Sequence, residues 1–153
     1  MIVLRVIRGI TDHFPIRATE WVMMLPTFGM AVAFHLSPNM FSVSPSFESL
    51  ADWGSEAAWA AVVLACGVMR FAALVINGTF QGFRLSPHIR FAASLVGIAF
   101  WSQWTLCFIQ AFIELGGAPS AIIAYGTFCC MELLNLYRSG TDIRPRGRGR
   151  RHG

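Results

Sequence analysis

Residues 57–76 read AAWAAVVLACGVMRFAALVI, a run in which Arg70 is the single charge. A helix of that length rises about 30 Å, the thickness of a bilayer's hydrocarbon core. Three more apolar runs lie at 20–36, 89–112 and 118–137. The first is short and contains Pro26 and Gly29, and it gains length if it continues towards Met40. A proline is tolerated in a lipid-embedded helix, as a kink. Over the whole chain apolar residues make up 55% and charged residues 13%, against roughly 25% charged in soluble domains. The expected fold is therefore an all-α membrane protein, with four transmembrane helices in one bundle over residues 17–138.

Outward from these runs, charge sets the orientation. Every basic residue is Arg. The segment before the first run holds Arg5, Arg8 and Arg17, and residues 37–56 hold none. Arg84 and Arg90 fall between the second and third runs, residues 113–119 again hold none, and Arg138 with five more arginines follows the last. Basic segments are retained in the cytoplasm. The alternation predicts four spans with both termini cytoplasmic. Trp21, Trp53, Trp59 and Tyr137 lie near the proposed interfaces, where amphipathic rings settle. Trp101 and Trp104 lie deeper and read as packing groups.

Two flanking segments complete the organisation. In residues 1–16, Arg5, Arg8 and Asp12 share one helical face while Ile2, Val3, Val6, Ile7 and Ile10 cover the rest. That is the pattern of a short amphipathic helix in the membrane interface, ended by Pro15; a frayed terminus is the alternative. Residues 139–153 form a basic tail in which Arg144, Arg146, Arg148, Arg150 and Arg151 alternate with Gly and Pro. Like charges and helix breakers predict disorder. The tail reads as a topogenic anchor, with anionic lipid headgroups as its next most plausible contact and nucleic acid as a remoter one.

Inside the runs, Arg70 stands roughly 10 Å below the cytoplasmic boundary, and Glu132 roughly 7–8 Å below the same boundary. A charge at such depth is unfavourable unless something compensates it. The second and fourth spans run in the same direction, so an ion pair between Arg70 and Glu132 is expected; the alternative is that Arg70 snorkels to phosphates while Glu132 is protonated or wetted. Helical spacing groups Val63, Cys66, Arg70, Ala73 and Asn77 on one face. Ala121, Tyr125, Phe128, Glu132 and Asn135 group on another, and Ala92, Val96, Ala99, Gln103 and Gln110 on a third. Small and polar residues collect where membrane helices touch, so Gln103 and Gln110 are expected to bond between helices, or to line a wet path in a homo-oligomer. Gly29-x-x-x-Ala33 and Ala93-x-x-x-Gly97 add small-residue pairs.

No catalytic constellation stands out: there is no phosphate-binding glycine loop, HExxH or GxSxG. The four histidines are scattered, and Cys66, Cys107, Cys129 and Cys130 lie in apolar runs without ligand spacing. The chain reads as a non-enzyme with neither metal nor cofactor.

Arg17-Ala-Thr-Glu-Trp21, Gly67-x-x-Arg70-x-x-Ala73-Leu74-x-x-Asn77-Gly78, Ser86-Pro87-x-x-Arg90 and Trp101-x-Gln103 resemble a pattern in small four-span membrane proteins of phages and prophages, some called holin-like. The resemblance covers about residues 17–138. It implies a phage-derived inner-membrane protein and no reaction. The leading expectation is a holin-like protein that oligomerises and permeabilises the membrane during host lysis. The alternative is a membrane-bound structural or assembly factor in virion morphogenesis or genome entry. A small transporter using Arg70 and Glu132 ranks third, because few intramembrane charges and no evident inverted repeat leave little room for alternating access.

Overall fold

The computed structural model describes residues 4, 11, 14–43, 47–79, 85–116 and 119–143. They are almost all helical, with no strand among them. A 3₁₀ turn at Pro15–Arg17 leads into α1 (Ala18–Leu36). Two short helices follow, α2 (Met40–Val43) and α3 (Glu48–Ala51), then α4 (Glu56–Thr79), α5 (Ser86–Leu115) and α6 (Ser120–Ile143). The expected N-terminal interfacial helix falls almost wholly outside the described residues, as does the tail from residue 144.

Three helices are long and apolar enough to cross a membrane: α4 over Glu56–Ile76, α5 over Ser86–Leu115 and α6 over Ser120–Ile143. The chain is thus consistent with a multi-pass membrane protein. α1, with Glu20, Pro26 and His35 among its 19 residues, is not in that set. Large apolar side chains point outwards along all four, including Val32, Leu64, Phe71, Leu106, Ile123 and Leu133. Exposure on this scale is what a lipid-facing surface requires.

α1 packs on α4, α4 on α5, α5 on α6, and α6 more slightly back on α1. The arrangement is a square whose sides are sequence neighbours plus one closing side, and each side pairs helices of opposite direction. Local chemistry sets the corners. Pro87 sits in the first turn of α5, where its missing N–H costs nothing. Gly116 closes α5 with φ 68°, a left-handed conformation that favours glycine, and its N–H donates to the Phe112 carbonyl at 3.2 Å.

α1 does not run on towards Met40. Its last turn closes at Ser37, whose N–H donates to the Ala33 carbonyl at 2.9 Å, and Pro38 disfavours helix in the residue before it. Residues 37–43 and 47–55 instead fold back over the bundle. The Phe41 N–H donates to Glu56 Oε1 at 2.5 Å, and Trp59 Nε1 donates to the Leu50 carbonyl at 3.2 Å. Leu50 is fully buried, and Phe47 meets Trp104 and Phe108 at ring-centroid distances of 5.4 Å.

The interior is segregated along the bundle axis. At the end capped by residues 37–43 and 47–55 the core is aromatic: Phe34, Phe100, Trp101 and Trp104 are buried, with Tyr125 and Phe128 packed against them. Trp101 and Trp104 are packing groups, as the sequence predicts. At the opposite end, where α1 and α5 begin, polar side chains are buried among apolar ones: Glu20, Arg70, Ser86, Arg90, Ser94, Glu132, Asn135 and Ser139.

Two sequence expectations need correction. α6 continues past Tyr137 to Ile143, so residues 139–143 are helical rather than part of a disordered tail. Ser139 is buried and bonds back to the Asn135 carbonyl, and Asp142 bonds to Arg90, which holds this last stretch in the helix. The face of α5 is also reversed. Ala92, Val96, Ala99 and Gln110 are exposed and Gln103 half-buried, while Arg90, Ala93, Ser94, Gly97, Trp101, Trp104 and Cys107 face inwards. The amides that suggested an interior face find partners within their own helix: Gln103 Nε2 donates to Cys107 Sγ at 3.7 Å, and Gln110 Nε2 to Glu114 Oε1 at 3.1 Å.

Candidate functional site

The polar half contains two buried guanidinium–carboxylate forks. Arg70 Nη1 donates to Glu132 Oε1 at 2.5 Å and Nη2 to Oε2 at 2.6 Å, with the side chains 2% and 1% exposed. Arg70 lies on α4 with Val63, Cys66 and Ala73, all buried on one helical face. Glu132 reaches it across α5 because Gly97 has no side chain to block the way. Cys66 occupies the neighbouring space, its Sγ 3.5 Å from the Ala93 carbonyl.

Nearer the helix ends, Arg90 Nε donates to Glu20 Oε2 at 2.7 Å and Nη2 donates to Glu20 Oε1. Its remaining Nη1 donates to Asp142 Oδ2 at 3.0 Å, and Arg17 Nη2 stands 4.0 Å from the same oxygen. Burial and the adjacent Arg90 push the Arg17 guanidinium down from its ordinary pKa, while Glu20 and Asp142 oppose that shift; an arginine nonetheless stays charged.

The two forks cross. One joins α4 to α6 and the other joins α1 to α5, so each ties a diagonal of the square rather than a packed side. On α5 their levels, marked by Gly97 and Arg90, are about 10 Å apart. A polar chain runs from the Arg70–Glu132 fork to the α1–α6 side: Thr19 Oγ1 donates to Asn135 Oδ1 at 2.7 Å, and Asn135 Nδ2 lies 3.5 Å from Glu132 Oε2. Arg138 Nη1 closes the chain at the surface, donating to Thr19 Oγ1 at 3.3 Å and to the Ile16 carbonyl at 3.4 Å.

Of the residues singled out in the sequence, Arg70, Glu132 and Asn135 are thus brought into one network. Gln103 and Gln110 lie away from it on α5. Asn77 belongs to α4, but its side chain falls outside the described residues, as do Arg144, Arg146, Arg148, Arg150 and Arg151.

The Glu20–Arg90–Asp142 cluster is not evident from the sequence, where Arg90 reads as a topogenic loop charge and Glu20 as a span boundary. A signal was nonetheless present. Both residues open helices that run in the same direction, as Arg70 and Glu132 lie on two that do.

Chemically this is a clamp. Both oxygens of Glu20 and both of Glu132 accept from a guanidinium, so neither is presented as a base to a cleft. Among the described residues no group of three His, Cys, Asp or Glu side chains is placed to hold a metal ion. No family model, curated protein or solved structure matches the chain.

Proposed function

We propose that this chain is a non-catalytic inner-membrane protein of phage or prophage type. It crosses the bilayer four times with both termini in the cytoplasm, and serves as a membrane-bound structural or assembly factor in virion morphogenesis or genome entry. α1 supplies the fourth span. Its 19 residues make a helix of about 28 Å, it lies along α4, and the charge that lowers its apolar character, Glu20, is neutralised by Arg90.

The observation that carries the functional reading is the inward direction of the buried charges. Arg70, Glu132, Glu20 and Arg90 close on one another across both diagonals, leaving a largely apolar outer surface. Such a bundle is self-sufficient in lipid. A protein that opens aqueous lesions must instead present a polar face to the lumen it creates.

The holin-like reading stands second, favoured by the outward position of Gln110 with the half-buried Ser102 and Gln103 on α5. Copies joined along that helix would line a path with amides. Induced expression in a host carrying a cytoplasmic endolysin separates the two. The assembly reading expects accumulation in the membrane with growth and membrane potential maintained. Abrupt growth arrest, collapse of the potential and release of the endolysin would overturn it in favour of permeabilisation.

A further inference from the structure

At the polar end of the bundle, four guanidinium groups meet three carboxylates: Arg17, Arg70, Arg90 and Arg138 against Glu20, Glu132 and Asp142. The carboxylates are committed. Glu132 is forked by Arg70, Glu20 is forked by Arg90, and Asp142 is shared between Arg90 and Arg17. Arg138 has no carboxylate partner among the described residues. Its Nη1 is held by two neutral acceptors, the Ile16 carbonyl and the Thr19 hydroxyl, across the seam between α1 and α6.

Those two bonds fix the guanidinium without neutralising it. They use the hydrogens of Nη1 and leave the edge formed by Nε and Nη2, which is the edge that grips a phosphate with two parallel bonds. The surroundings are amphiphilic. Ile16, whose carbonyl Arg138 touches, is 69% exposed, Tyr137 beside it in sequence is 72% exposed, and Phe14 is 46% exposed. A free inorganic anion gains nothing from exposed apolar side chains, whereas a phospholipid covers them with its chains and glycerol while its phosphate meets the cation. An exposed tyrosine also marks the headgroup level.

We propose that Arg138, braced by Ile16 and Thr19, seats the phosphate of an anionic phospholipid at the α1–α6 seam. This site belongs to the folded bundle and is separate from the arginines of the tail. It rests on the reading that this end lies at a bilayer surface, and not on the choice between assembly and lysis.

The experiment is competition binding. A fluorescent phosphatidylglycerol is bound to the full-length chain in neutral detergent, then displaced by unlabelled phosphatidylglycerol, by phosphatidylcholine or by inorganic phosphate. The wild type is expected to prefer phosphatidylglycerol to phosphatidylcholine by about tenfold, and Arg138→Gln to lose that preference. A variant with the five tail arginines changed to Gln is expected to keep the preference. Unchanged phosphatidylglycerol affinity in Arg138→Gln overturns the proposal. So does displacement by inorganic phosphate at the concentrations where the lipid acts, which would mark a free-anion site.

If Arg138→Gln melts early, Arg138→Lys takes its place, since it keeps the charge and lacks the fork. A several-fold loss of lipid preference at unchanged melting temperature supports the site, and no loss overturns it. Reporter fusions that place this end in the periplasm would sink the topology. Lost selectivity in a correctly inserted chain would sink the lipid site alone.

Discussion

The carboxylate of Glu132 occupies the space that a β-carbon on Gly97 would need. Such an atom would stand 2.7 Å from Oε1, 2.8 Å from Cδ and 3.1 Å from Cγ. Glu132 has little freedom to yield, because Arg70 grips both its oxygens.

Gly97→Ala should therefore force either the fork or the α5–α6 packing to move, at a cost of about 1–3 kcal/mol. Gly29→Ala is the matched control. Nothing lies within 4 Å of a β-carbon there, so the substitution should be neutral or stabilise by up to about 1 kcal/mol through helix propensity. Melting temperature of the detergent-purified protein reports both, and equal effects at the two glycines would refute the close approach.

Removing one member of the Arg70–Glu132 fork leaves its partner buried and unmatched. Arg70→Leu and Glu132→Leu should each cost about 3–5 kcal/mol, while the double change should recover much of the loss. Protonation of Glu132 or snorkelling of Arg70 softens the single-mutant cost. Folded yield and resistance to membrane proteolysis measure the cycle. Additive damage in the double variant would count against direct coupling.

The second cluster should respond unequally. Glu20 is 2% exposed and Asp142 is 47% exposed, although both accept from Arg90. Glu20→Leu is expected to cost about 3–5 kcal/mol by stranding a buried guanidinium. Asp142→Asn should cost about 1 kcal/mol or less, since water screens that contact. A larger loss from Asp142→Asn would mean that the end of α6, and not the fork, holds Arg90.

The proposed topology has its own measurement. Reporter fusions after residues 48 and 115 should read as periplasmic, and fusions after 84 and 140 as cytoplasmic. A cytoplasmic reading at 48 would remove α1 as a span and leave the three apolar helices alone.

Much of the architecture is legible in the residue order. Runs of apolar residues at the length of a bilayer mark the helices because in lipid every backbone polar group must be satisfied within its own segment. The structure places helices over all four runs, with three of them apolar and long enough to cross a membrane. Arg70 and Glu132 stand out in sequence because an uncompensated charge in such a run is unfavourable, and the direction of the helices brings them to the same level.

Tertiary structure alone decided which face of α5 turns inwards and which partners Glu20, Arg90 and Asp142 find. α5 is apolar on nearly all sides, so its periodicity carries little information, and its glutamines bond along their own helix instead of marking the interior. The Glu20–Arg90–Asp142 cluster depends on the square packing that brings the starts of α1 and α5 and the end of α6 together. Those three residues are separated by 70 and 52 positions along the chain, and no local pattern records that meeting. The space for Glu132 is likewise an absence at Gly97, which acquires meaning only when α6 is laid against α5.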